Sequence, residues 1–334
     1  MKLSILDQSP IAAGKTPQEA LNASAELAGL ADKWGYTRYW IAEHHDMRGL
    51  ACPNPDVMLG MIGSQTERIR IGAGAVLLPH YKPYRVAETY NLLATLFPGR
   101  IDLGIGRAPG GSAEASMALS GNFLENVRQI PEKIDELLKF LYLDFAADDM
   151  YARIKPTPVP TLPPKPWMLG TSEKSAIAAA EKGLPYTFGH FMSDQDGPSI
   201  IKTYKDRFTE QHPDKTPEVI GTVSVVCAET TAEAWDLALS NHLWSIQRDK
   251  GEGNGTVPTV AEAKNYTFSD DEKERVHRMK NKAIIGNPYE VGQQLKLLQS
   301  AYHADEWMIV TITHSYEARK KSYELLADEL LTPS

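Results

Sequence analysis

From end to end of its 334 residues, the chain alternates short apolar or β-branched runs with longer amphipathic stretches. Strands separated by helices of this length cannot close as hairpins, so they form βαβ units and a parallel sheet. The pattern places strands at 2–6, 38–42, 69–77, 101–105, 166–170, 184–188, 219–228 and 306–312. Helices fall between them, including one at 17–34 and a single long one at 122–142. Thr16-Pro17-Gln18-Glu19 reads as a capping box with proline at the first helical position. Eight such strands predict an α/β fold, a (β/α)8 TIM barrel spanning 1–334 as one domain. Two insertions interrupt the alternation. The first, at 144–166, is acidic and then proline-rich, which suits an extended excursion. The second, at 248–283, is polar and charged and reads as a lid over the barrel mouth, a mobile cover that contributes little to the core.

Composition narrows the function. A 42% hydrophobic content supplies a sizeable core, and the net charge of −8 argues against a nucleic-acid surface, which needs clustered Lys and Arg. Cys52 and Cys227 show no disulfide or zinc spacing, so a reducing cytoplasm is expected. No apolar run approaches the ~20 residues a membrane helix needs, and neither export nor insertion is expected.

In such a barrel the chemistry sits where the strands end, so unusual residues just past each strand are the candidates. After the second strand comes Glu43-His44-His45-Asp46, a titratable cluster suited to acid/base work. An equally simple reading has one histidine satisfying a buried hydrogen bond and the other at the surface. Adjacent strand residues face opposite ways, so His44 and His45 are poorly placed to share a metal, and none is expected. After the fourth strand comes Gly104-Ile105-Gly106-Arg107-Ala108-Pro109-Gly110-Gly111, where glycine permits close approach and arginine can meet phosphate, unless it is simply a flexible loop with a solvated Arg. It is no Rossmann fingerprint, because the third glycine would fall at Pro109. After the fifth strand, Gly170-Thr171-Ser172-Glu173-Lys174-Ser175 opens a helix that either caps itself or offers an anion site. The small residues Gly72-Ala73-Gly74-Ala75 in the third strand admit a flat ring or mark a bulge. Tyr81, His190, Phe191 and Met192 stand near strand ends, where they line a pocket or merely pack.

Taken in order, several motifs resemble the bacterial luciferase-like flavin monooxygenases. They are Tyr39-Trp40-Ile41-Ala42-Glu43-His44-His45, Ile69-Arg70-Ile71-Gly72, Val76-Leu77-Leu78-Pro79, the run from Pro98 through Gly110, and Gly286-Asn287-Pro288. The resemblance covers nearly the whole chain. It implies FMN as cofactor, with His44 as the catalytic histidine beside the ring and a non-proline cis peptide at Gly74–Ala75 against it. It further implies Gly106 and Arg107 at the phosphate, and Leu169, Gly170, Thr171, Ser172 and Ser175 around the ribityl chain and phosphate. The reaction it implies oxygenates a small organic substrate with dioxygen and reduced FMN from a separate NAD(P)H-dependent flavin reductase, in a homodimer. A deazaflavin hydride-transfer enzyme and a non-catalytic flavin-binding protein are the alternatives, since a fold alone does not fix an activity. Thr171 and Gly106 depart from the acidic residue and thiol of the light-emitting subunit, so bioluminescence is not implied. Arg128 aligns poorly with a second phosphate-binding arginine and is left aside.

Overall fold

A computed structural model describes residues 1–331. Nine strands appear among the described residues: β1 (Leu3–Asp7), β2 (Arg38–Ile41), β3 (Arg70–Leu77), β4 (Ile101–Gly106), β5 (Lys165–Gly170), β6 (Tyr186–Phe188), β7 (Val219–Cys227), β8 (Ala283–Gly286) and β9 (Glu306–Val310). All pairings are parallel, and β1 through β7 with β9 close an eight-stranded barrel through the β6–β7 and β1–β9 pairs. The predicted fold is therefore found, with one strand more than the eight expected. Ser224 of β7 pairs with Val310 of β9 and with Ala283 of β8. β6 follows β7 only as far as Gly221, so β8 takes over the edge that β6 leaves and raises the wall there.

The strands are buried on both faces, as in any parallel sheet covered by helices. Side-chain alternation then divides the core in two. Ile5, Tyr39, Ile71 and Ile309 point outward into the layer shared with the helices. Leu6, Trp40, Trp167, Ile220 and Met308 point inward and fill the barrel, where Trp40 and Trp167 meet edge to face at 5.8 Å. The strand starts are fastened by a charged network. Arg38 bridges Asp102 and Glu306 at 2.9 Å each, and Asp102 also accepts from Arg70 and from Trp40 Nε1. Each buried charge is thus answered by one of opposite sign.

The helix Pro17–Trp34 carries the expected capping box, with Glu19 N–H donating to Thr16 Oγ1. The helix predicted at 122–142 is instead two, Phe123–Arg128 and Ile130–Tyr142, preceded by a third at Ala113–Ser120. Pro131 explains the break: it has no N–H to offer and clashes with the preceding turn, so it opens the second helix. The proline-rich excursion holds only a short turn, Met150–Arg153, and is pinned where Asn91 donates to Pro156 O at 2.8 Å.

The expectation of a mobile cover at 248–283 is corrected. The segment folds into helices Val260–Asn265 and Asp270–Lys282, both with complete capping boxes. Val257, fully buried, joins the barrel-interior cluster and exchanges backbone hydrogen bonds at 2.8 Å with Ile11 and Ala13. An apolar anchor with satisfied backbone makes this part of the scaffold. Among the described residues no helix is long and apolar enough to cross a membrane.

Candidate active site

A cavity of about 440 Å³ opens where the strands end. Gln8 follows β1, Glu43 and His44 follow β2, and Gly74 and Ala75 lie in β3. Gly106 and Arg107 come from the end of β4, Leu169, Gly170 and Thr171 from β5, Thr187 from β6 and Thr222 from β7. Eight residues singled out in the sequence, His44, Gly74, Ala75, Gly106, Arg107, Leu169, Gly170 and Thr171, therefore line one cavity. Ser172 and Ser175 do not. They form the start of helix Glu173–Glu181, where Ser175 Oγ donates to Ser172 O at 2.6 Å and lies 2.9 Å from Tyr186 Oη. Gly170 makes room for this turn, because a Cβ there would collide with Ser175 Oγ.

The two histidines after β2 divide their work as the simpler sequence reading allowed for one of them. His45 Nε2 lies 2.8 Å from Glu43 Oε1. Glu43, buried to 4% exposure, also accepts from Tyr81 Oη at 2.7 Å and from the Leu77 N–H at 3.1 Å. This hub holds the ends of β2 and β3 together. His44 faces the cavity, and its Nδ1 is buried without a partner among the described residues. Burial, then the charges of Arg248 and His45, push its pKa down to about 4. Near pH 7 the ring is therefore neutral, able to accept on one nitrogen and donate from the other.

The Gly74–Ala75 peptide is cis, as the resemblance implied. Gly106 is small for a visible reason, since a Cβ there would approach Ala75 Cβ to 2.9 Å. Arg107 is exposed at the cavity's edge, and its charge reaches the Tyr186 hydroxyl beside Ser175. Cation and helix start thus lie at the same end of the cavity.

Of the other pocket candidates, Phe191 and Met192 line the cavity. Tyr81 is spent on Glu43, and His190 Nδ1 turns to Tyr302 Oη at 2.8 Å. Sequence reasoning missed Gln8, Thr187 and Thr222 as cavity residues, together with Phe123 and Leu124. Gln8 directly follows a strand and was open to the same rule that found His44. Thr187 and Thr222 sit inside strands, where one polar residue among apolar ones was the only sign.

The residues fit a flat heteroaromatic group with a polar tail ending in an anion. Leu6, Ala42, Ala75 and Leu169 give apolar walls, while His44 Nδ1 and Thr187 Oγ1 are buried polar atoms awaiting partners. Among the described residues no cluster of His, Cys, Asp and Glu could hold a metal.

The sequence profile described as "Luciferase-like monooxygenase" matches residues 1–304. An N-acetyl-S-alkylcysteine monooxygenase of Bacillus subtilis is 34% identical, covering 99% of this chain and 98% of its own. The crystal structure of apo-MsnO8 superposes with a TM-score of 0.90 at 34% identity, over 100% of this chain and 99% of that one. The oxygenating constituent of the Pseudomonas putida 3,6-diketocamphane monooxygenase, solved with FMN, shares the fold at a TM-score of 0.71 and 20% identity, over 99% of this chain and 98% of that one. A family profile running through all but the last strand and the last helix, with relatives matched along nearly their full length, shows that the chain belongs to the luciferase-like monooxygenase family.

Proposed function

We propose that the protein is a two-component flavin monooxygenase that receives reduced FMN from a separate NAD(P)H-dependent flavin reductase and uses dioxygen to oxygenate a small organic substrate. One observation carries this reading most: His44, neutral and with an unpartnered nitrogen, and Arg107, whose charge reaches Tyr186 beside the start of helix Glu173–Glu181, belong to the same largely apolar cavity. Bound FMN supplies the activation of dioxygen. Arg107 and the amide groups of the helix start hold its phosphate, and Gly106, Leu169, Gly170 and Thr171 bound the ribityl path. Ser172 and Ser175 act from behind, by shaping that turn. Gly74–Ala75 would support the ring, and His44 Nδ1, in the same cavity, would hold or deliver a proton. Leu6, Ala42 and Leu169 keep water from the reacting atoms.

A homodimer is part of the same proposal, and two neighbouring helices support it: Pro55–Gln65 and Pro83–Leu96 expose Val57, Met61, Leu92 and Leu96 at helical spacing. The two free, buried cysteines suit a reducing cytoplasm.

Titration of the flavin-free chain with FMN and with a deazaflavin tests the cofactor. Tight FMN binding with isotopic oxygen from dioxygen in the product is expected; an N-acetyl-S-alkylcysteine, the class named for the Bacillus relative, is the first trial substrate. Binding of deazaflavin alone would replace the proposal with hydride transfer, and FMN binding without oxygen consumption would leave a flavin-binding protein.

A further inference from the structure

Beside the cavity just described lies a second one, of about 470 Å³, and the two share Gln8, Phe191 and Met192. Its chemistry differs. Arg248, Arg275, Arg278 and Lys282 line it, in a chain whose net charge is −8. Three carboxylates answer these four cations: Asp194 pairs with Lys282, Glu274 with Arg278, and Asp249 with both Arg248 and Arg275. One positive charge is left over.

Arg248 is the cation least answered. Its bond to Asp249 is made from Nε at 3.3 Å, and Asp249 is shared. Its guanidinium lies 5.1 Å from the centre of the Trp244 ring, and Trp244 is itself held by a 2.8 Å bond from Nε1 to Gly255 O. That stacking fixes the plane of the fork while leaving the terminal N–H groups for a ligand. Arg248 also lies near enough to the first cavity for its charge to act on His44. A second polar group waits in the same wall: His242 is 2% exposed, and its Nδ1 has no partner among the described residues. Phe191, Val310 and Ile312 supply apolar surface between these groups and the shared wall. A fixed, half-desolvated guanidinium beside an apolar floor is best matched by an organic anion, because a carboxylate fills the fork while its hydrocarbon covers the floor.

We propose that this second cavity is the substrate pocket and that it selects a small organic carboxylate, docked on Arg248 with its apolar remainder running past Phe191 and Met192 toward the flavin cavity. The inference rests on the first cavity being the flavin site, and the test separates the two. Octanoate and its neutral amide, octanamide, are titrated calorimetrically into the full chain, with and without FMN.

Octanoate is expected to bind at least about 10-fold more tightly than octanamide in both states, the gain expected of a charge-assisted bond. Arg248→Gln should erase that preference with FMN affinity unchanged, and Arg248→Lys should restore part of it. Arg107→Gln should weaken FMN binding and spare the preference. A preference that survives Arg248→Gln overturns the proposal, as does exclusion of octanoate by FMN, which would place the flavin phosphate at Arg248. If FMN fails to bind while the octanoate preference still depends on Arg248, the carboxylate pocket stands and the flavin reading falls.

Discussion

Glu43 Oε2 accepts the backbone N–H of Leu77 at 3.1 Å, which ties the end of β2 to the end of β3 just past the Gly74–Ala75 peptide. The same carboxylate holds Tyr81 and His45, so three donors depend on one buried acceptor. Glu43→Ala should lower stability by about 1.5–3 kcal/mol, the usual cost of losing hydrogen bonds to a buried charge. It should also weaken FMN binding, because the strand end under the ring is no longer held. Urea unfolding and flavin titration of the same preparation check both; an unchanged midpoint would make the hub ornamental.

Arg107→Ala should weaken FMN binding by about 1.5–3 kcal/mol and leave the unfolding midpoint alone, since the side chain is exposed. Calorimetry decides, and an unaltered dissociation constant would remove Arg107 from the phosphate end.

His44→Ala should leave FMN affinity nearly intact while substrate oxygenation falls by roughly 10²–10⁴-fold, with hydrogen peroxide appearing instead of product. With its pKa near 4, His44 contributes no change in rate between pH 6 and 8. Oxygen uptake and peroxide release, followed with reduced FMN supplied by a reductase, report the outcome. Equal product from the variant would confine His44 to packing.

Stability should depend on acid through His44 and His242, both lowered from 6.5 to about 4, each chiefly by burial. The unfolded chain takes up these protons near 6.5, while the folded chain resists until about 4. Their contribution is therefore complete above pH 6.5 and is lost as pH falls toward 4. Asp56, raised to about 6 by burial, works in the opposite sense, so the informative measurement is a difference. Urea midpoints of His242→Gln should fall less steeply than those of the parent between pH 6.5 and 4.5. Parallel curves would show that His242 does not titrate in this way.

Val257→Ala should cost about 1–3 kcal/mol, from the buried methyl groups lost and the space they leave. Removing 251–269 altogether should cost more, because the barrel interior then loses its cap. Thermal unfolding measures both, and a deletion as stable as the parent would restore the loose-cover reading of this segment.

The barrel was legible in the sequence because its strands are short apolar runs with helices between, and the capping box at Thr16 and Glu19 marked one boundary well. His44, Gly106, Arg107, Gly170 and Thr171 followed from one rule, that chemistry gathers where strands end, whereas Leu169 came only from the family resemblance. What escaped had physical causes. β8 is four residues, Ala283–Gly286, at the edge of a charged stretch, and no pattern announces a strand whose partner is more than fifty positions away. The broken helix was written in Pro131, whose cost inside a helix outweighs the apolar spacing around it. Val257 looked like one apolar residue in a polar loop, because only the closed barrel creates the interior that receives it.

Because β8 rejoins the wall beside β7, everything between Cys227 and Ala283 is a detour that leaves the barrel and returns to the same strand. Arg248, Arg275, Arg278 and Lys282 all belong to that detour, whereas His44, Gly74, Gly106 and Arg107 belong to the barrel. Lengthening a closed loop is cheap, about 0.6 kcal/mol for each doubling, so long as its feet stay paired. On the proposed reading the layout is a socket and a cartridge: the barrel would keep the cofactor, and the detour would be the part open to exchange for a different molecule.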